Sequence, residues 1–392
     1  MRPVYIASDN IITSLGTTTL ANMDALKIGR IGIRMTSDSH LYPSPVPLSL
    51  VDTDLLEELF QSLLKEYHPR SSSADFTRLE KLFILSIHEA IIGLPLDYRD
   101  QKTLFILSTT KGNIDLLEEE NGALFPPQRI YLWELARIVD NFFGFSTPPV
   151  VISNACISGV IALITAYRYL GSGLYDQAVV CGGDILSEFV ISGFQSFQSL
   201  SPSPCRPFDA QRDGLSLGEG VGTMVLTTSA GTGTAHSVTI KGAATTNDAN
   251  HISGPSRTGE ELGMAIRNTM KEAKILPGDI GFINAHGTAT RFNDEMESKA
   301  IASAGLLEVP VNSFKGFWGH TMGAAGLIES VASVQALREE LLIKTAGFES
   351  LGVPEPIRVT ACNEKKAMKS CLKSASGFGG CNASILFEKE QP

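Results

Sequence analysis

The sequence predicts an α/β protein made of two related halves that share one core. Three observations carry this. Short, fully apolar, β-rich runs alternate with longer runs of helical period. The alternation restarts near residue 236. The 392 residues are 43% hydrophobic and only 19% charged, with 36 glycines, which predicts a large packed core rather than a disordered or fibrous chain.

In the first half, strands are predicted at Val4–Ala7, Thr103–Ser108, Val150–Ser153, Gln177–Cys181 and Gly222–Thr227. Helical patterns lie between them at Thr53–Glu66, Arg78–Ile92, Leu132–Asn141 and Ile157–Leu170. Strands this apolar fit a sheet covered by helices on both faces. The Gly-Thr-Gly-Thr run that begins at Gly231 reads as a connector. The second half then predicts strands at Val238–Ala243, Gly281–Asn284, Val309–Ser313, Ser370–Ser376 and Cys381–Phe387. Its helices are predicted at Thr258–Ala273, Asn293–Ala304 and Met322–Leu337. The halves are therefore placed at 1–235, carrying the candidate nucleophile, and 236–392, carrying two candidate histidines.

Charge and cysteine usage exclude several classes. The formal net charge is −10, which argues against a general binder of nucleic acid or of anionic membranes. From Asn141 to Tyr167 no Asp, Glu, Lys or Arg occurs. That length could span a bilayer. Pro148-Pro149, Ser153-Asn154 and Gly159 break a single helix, so the stretch reads as a buried strand, a turn and a buried helix. No charged and then apolar leader opens the sequence, so no secretory signal is expected. The six cysteines show no framework spacing, and reduced thiols in a cytoplasmic protein are expected.

Cys156 stands where an apolar strand meets an apolar helix, in Ser-Asn-Ala-Cys-Ile-Ser-Gly. Backbone N–H groups and the positive helix end at such a turn favour thiolate and a lowered pKa. The ordinary reading of a buried cysteine is an inert one. Two histidines change that balance. His286 lies in Asn-Ala-His-Gly-Thr-Ala-Thr after a strand, and His320 in Trp-Gly-His-Thr-Met-Gly before a helix. Their glycines let backbone or substrate approach closely. The other five (His40, His68, His88, His236 and His251) lack this setting. A metal is the rival use of one cysteine and two histidines. Gly-rich turns at all three positions suit a long substrate better than a tight cage.

These segments, in this order, resemble the β-ketoacyl-acyl carrier protein synthases of the elongating Cys–His–His type. Arg206-Pro-Phe-Asp209, the run from Arg212 to Gly220, Asn312-Ser-Phe-Lys315 and Gly377-Phe-Gly-Gly380 strengthen the resemblance. It runs from about residue 150 to the C-terminus, with only a loose match over the first 100 residues. It implies the thiolase-like fold, two βαβαβαββ halves in five αβαβα layers, usually a homodimer. It implies that Cys156 takes an acyl chain as a thioester and that His286 and His320 stabilise the enolate formed when malonyl-carrier protein loses CO2. Backbone N–H groups of Cys156 and Phe378 would hold the second oxyanion. Lys315 would anchor the site by pairing with Glu297, with Asp294 nearby, while Glu329 matches a structural acidic position. Thr288 and Thr290 match residues that bind the phosphopantetheine arm; turn capping is their simpler reading.

Leu215 and Ser376 stand where the family often has Phe beside the acyl gate, and Arg291 replaces a more usual proline at the entrance. No metal or organic cofactor is implied, because the phosphopantetheine belongs to the acyl carrier protein. An acidic enzyme meeting an acidic carrier needs a basic patch, for which Arg70, Arg78 and Lys81, or Arg206, are candidates. The rival functions are a non-catalytic chain-length-factor-like subunit, which typically lacks the nucleophile, and a thiolase-type or initiating enzyme using coenzyme A, whose sites carry Cys–His–Cys or Cys–His–Asn sets.

Overall fold

A computed structural model describes residues 1–39, 41–95, 97–230, 237–248 and 254–390. The expected connector at Gly231, the boundary at 235/236, and His40, His236 and His251 lie outside the described residues.

Eleven strands form the main sheet among the described residues. In chain order they are β1 (Tyr5–Ile12), β2 (Thr103–Ser108), β3 (Val150–Ile152), β4 (Gln177–Asp184), β5 (Gly220–Thr227), β6 (Val238–Asn247), β7 (Phe282–Asn284), β8 (Pro310–Asn312), β9 (Arg358–Val359), β10 (Ser370–Gly377) and β11 (Cys381–Lys389). The first half runs β1-β5-β4-β2-β3, and the second β6-β11-β10-β7-β8-β9. Directions repeat as well. β1 and β5, and β5 and β4, pair antiparallel, while β4, β2 and β3 are parallel. In the same way β6 and β11, and β11 and β10, pair antiparallel, while β10, β7 and β8 are parallel. The two half-sheets touch at one register pair, Tyr5 with Thr239.

Helices cover both faces, as fully apolar strands require. Thr53–Tyr67, Arg78–Ile91 and Leu132–Phe143 cover the outside of the first half-sheet, where Phe60, Phe83 and Leu135 join Phe105 of β2 in one apolar cluster. Glu260–Ala273 and Arg291–Ser303 cover the second through Leu262, Ile266 and Ile301. Helices Ser158–Ser172 and Ala325–Arg338 lie between the halves and contact strands of both. This is the five-layered α/β order of the thiolase-like fold. Leu163, Leu327 and Val331 are fully buried in the middle layer, each burial contributing about 1.5–3 kcal/mol.

The middle helices meet through small residues. A Cβ placed on Gly159 would lie 2.7 Å from the backbone nitrogen of Leu327, and one on Gly326 would meet Val160. The uncharged stretch from Asn141 now has a physical reason. The overlapping segment 155–172 is apolar enough to cross a bilayer by length and composition, but 67% of it is buried inside the protein. All six cysteines are free thiols.

Candidate active site

Cys156, His286 and His320 come from three separate turns and meet. Sγ of Cys156 and one ring nitrogen of each histidine lie within 4.8 Å of one another. The imidazole rings cross edge to face at 5.1 Å. All three residues are buried and line a cavity of about 510 Å3, together with Leu215, Thr288, Thr290, Ser376 and Phe378.

Cys156 follows β3 and directly precedes the helix Ser158–Ser172. The tight turn needs Ala155 at φ 44°, a left-handed conformation uncommon outside glycine. The Ser158 hydroxyl braces it, accepting from Asn154 N–H and donating to the Ala155 carbonyl. Gly377 at the end of β10 packs on this turn, where a Cβ would stand 3.1 Å from Cys156 N. The next residue, Phe378, turns its backbone N–H toward the cysteine sulfur. The lowered pKa expected from the helix end is not what the closed site produces. Burial pushes the Cys156 thiol up to about 11, against the lowering by Lys315, the Phe378 N–H and Lys111.

The histidines are held as hydrogen-bond donors. Lys315 Nζ lies 3.4 Å from Nδ1 of His286 and donates to its carbonyl at 2.7 Å. The backbone N–H of Met322 donates to Nδ1 of His320 at 3.2 Å. An Nδ1 that accepts leaves the ring proton on Nε2. Both rings titrate well below the usual histidine range, first because burial disfavours the cation and then because Lys315 and Lys373 are close. Each is therefore a neutral Nε2–H donor at neutral pH.

The lysine's partner differs from the expectation. Lys315 Nζ pairs with Glu329 Oε1 at 2.5 Å, not with Glu297. The carboxylate of Glu297 is already taken: it accepts from His286 N–H at 2.8 Å, Gly287 N–H at 2.5 Å and the side chains of Asn293 and Ser374. Glu329 reaches the lysine because its helix is the fully buried middle layer directly behind the histidine loops. Asp294 likewise brackets backbone, accepting from Phe208 N–H at 2.7 Å and Thr288 N–H at 3.0 Å. Burial and neighbouring Glu297 push its carboxyl up to about 7. Thr288 and Thr290 share a hydroxyl–hydroxyl bond of 2.8 Å at the cavity wall.

Two buried charges were missed from sequence. Lys373 of β10 lies 2.6 Å from Glu329 Oε2. Asp184, the last residue of β4, accepts from Thr109, Thr110 and Gly323. Both had a signal: a lone charge in an otherwise uncharged strand.

The basic residues sort differently from the expectation. Arg78 pairs with Glu219 and Lys81 with Glu57, and both line a different cavity. Arg291 and Phe292 line the active-site cavity and are largely exposed, with Phe197 and Phe378 also at its opening.

Comparison with known proteins agrees with this geometry. The family "Beta-ketoacyl synthase, N-terminal domain" matches residues 1–230, and "Beta-ketoacyl synthase, C-terminal domain" matches 237–349. The chain is 28% identical to "Putative 3-oxoacyl-[acyl-carrier-protein] synthase, mitochondrial" of Schizosaccharomyces pombe, covering 99% of both chains. It is 26% identical to "3-oxoacyl-[acyl-carrier-protein] synthase 2" of Vibrio cholerae, again over 99% of both. Among solved structures it resembles a ketosynthase in complex with its chain length factor from Xenorhabdus doucetiae, at 25% identity and TM-score 0.82 over 99% of this chain and 98% of that one. With a cysteine and two histidines gathered in one buried cavity and both family domains matched, the chain belongs to the β-ketoacyl synthase family and is an acyl-transferring enzyme of it.

Proposed function

We propose that this chain joins an acyl group held on Cys156 to malonyl-acyl carrier protein, giving a 3-oxoacyl-carrier protein and CO2. The observation that carries the reading is the pair of neutral Nε2–H donors beside the cysteine sulfur. In the first half-reaction, Cys156 displaces the pantetheine sulfur from an acyl thioester, and the thiol proton leaves on that sulfur. The thiol's raised pKa makes a protonated resting cysteine the ground state. In the second, malonyl thioester loses CO2 and its carbonyl becomes an enolate. His286 and His320 donate to that oxygen without having to lose a proton. The enolate carbon attacks the acyl carbonyl, whose oxygen is met by the N–H groups of Phe378 and Cys156. Collapse frees the cysteine sulfur, which regains a proton.

Thr288 and Thr290 offer hydroxyls to the pantetheine amides from the cavity wall. Arg291 also has an acidic neighbour, Glu295, but at 76% side-chain exposure beside the opening it fits the acidic carrier protein better than Arg78 or Lys81, which are 24% and 14% exposed in their ion pairs. No resident cofactor enters this reading. A metal on the Cys–His–His group is opposed by the second contacts of its rings. Metal-bound histidines donate their other N–H to an acceptor, whereas both Nδ1 atoms here face donors. A complete nucleophile and both donors likewise favour catalysis over a chain-length-factor-like role. Among the described residues β3 ends the sheet with an open edge, which supports pairing with a second copy across it.

The test is incubation with acyl- and malonyl-carrier protein, with CO2 and products followed by mass spectrometry. The reading expects an acyl adduct on Cys156 and a chain two carbons longer, with coenzyme A thioesters used less well. No adduct and no condensation would overturn it.

A further inference from the structure

The buried lysine Lys373 touches neither the cavity nor the cysteine, yet it completes the charge arrangement behind His286. Its side chain is fully buried and Nζ lies 2.6 Å from Glu329 Oε2, 3.1 Å from the Ala285 carbonyl and 3.5 Å from that of Asn284. Lys315 takes the other oxygen of Glu329 and the carbonyl of His286. One carboxylate thus bridges two ammoniums, and the ammoniums hold three successive carbonyls of the segment that presents His286. On the opposite side of that segment, Glu297 takes the N–H groups of His286 and Gly287.

The charges decide what this does. Lys315 and Lys373 balance Glu329 and Glu297, and Arg212 faces the neighbouring Asp294 at 3.8 Å, so the dry cluster is neutral overall. Without the charge of Lys373 it carries one net negative charge beside two rings that must stay neutral and beside an oxygen that becomes an enolate. Charge interactions in such a low-dielectric setting are strong.

We propose that Lys373 is a positioning residue for decarboxylation: with Lys315 it clamps Glu329, fixes the strand end that carries His286, and keeps the cluster behind the enolate from being anionic. The inference rests on the condensing reading above. It has a pH consequence. The groups facing Lys373 are Glu329 and Lys315, Glu297 of the neighbouring helix, His286 and His320 across the loop, and Cys371 of its own strand. Burial pushes the ammonium down to about 8, against the opposite pull of Glu329. The lysine is charged below that pH and neutral above it, so decarboxylation falls as pH rises through about 8.

The experiment measures CO2 release from malonyl-carrier protein between pH 6 and 10 in a Cys156→Gln background, where cysteine ionisation plays no part. With Lys373 present, release is expected to decline above about pH 8. Lys373→Met is expected to lower release at pH 7 on the order of tenfold, less than loss of a direct donor, and to abolish the alkaline decline. Lys373→Arg keeps the charge at every pH tested, so its decline is expected to move up by more than one pH unit; it serves as the decisive variant if the methionine protein does not fold. A decline that stays near pH 8 in either variant, or a methionine variant that releases CO2 at the parent rate, overturns the inference. If the Cys156→Gln parent itself releases no CO2, the condensing reading fails instead.

Discussion

The Lys315 ammonium lies 3.4 Å from Nδ1 of His286 and thereby fixes which nitrogen of that ring carries the proton. A cation beside an imidazole usually reads as a way of lowering its pKa. Here it does that and also sets the tautomer, so that a neutral ring donates through Nε2.

Lys315→Met removes this device while leaving Glu329 its second lysine. Decarboxylation of malonyl-carrier protein is expected to fall on the order of 10²-fold, comparable to losing one oxyanion donor. In [15N]histidine spectra the His286 signal should shift from the pure Nε2–H form to a mixture. A rate within twofold of the parent would show that the lysine does not act through the ring.

The raised pKa of Cys156 makes a second prediction. Thiolate is the reactive form, and its fraction grows about tenfold per pH unit below the pKa. With a thiol near 11, alkylation of Cys156 by iodoacetamide should keep rising from pH 7 to 10. A plateau below pH 8 would mean that the helix end and the Phe378 N–H overcome burial.

The close crossing of the two middle helices sets a stability prediction. In Gly159→Ala the new methyl would stand 2.7 Å from the Leu327 nitrogen and 2.9 Å from the Gly323 carbonyl oxygen, neither of which can swing away. Overpacking of this kind costs about 1–3 kcal/mol. Thermal unfolding should show a Tm several degrees lower, and because Gly323 belongs to the turn after His320, decarboxylation should fall with it. An unchanged Tm would mean that the layers separate more readily than their packing implies.

Much of this was legible in the sequence, for a physical reason. Elements whose apolar period is uninterrupted were read nearly to the residue: Thr103–Ser108 has the same bounds in the structure, and Arg78–Ile91 ends one residue earlier than expected. Pattern alone failed where a backbone serves a side chain. Met322–Leu337 read as one helix, yet Met322–Ala324 forms a separate 3-10 turn, with Met322 at φ 50° so that its N–H meets His320. The helix Thr19–Lys27 and the short strands at Arg34–Thr36, Val46–Ser49 and Leu217–Gly218 were missed, being weakly patterned or only two to four residues long. Cys156 was found because an apolar strand meets an apolar helix there, and His286 and His320 because glycines flank them. The partner of Lys315 was not, since the family resemblance pointed to the helix after His286 and so to Glu297, whereas layer packing brings Glu329.

The division of labour between the cysteine and the two histidines is tested most directly by Cys156→Gln set beside His286→Ala and His320→Ala. Each is assayed separately for acyl transfer to the protein, CO2 release and condensation. The account predicts that the glutamine variant loses acyl transfer and condensation but still releases CO2, while each alanine variant still takes the acyl group and loses about 10²–10³ in CO2 release. Condensation by the glutamine variant, or CO2 release undiminished without either histidine, would contradict it.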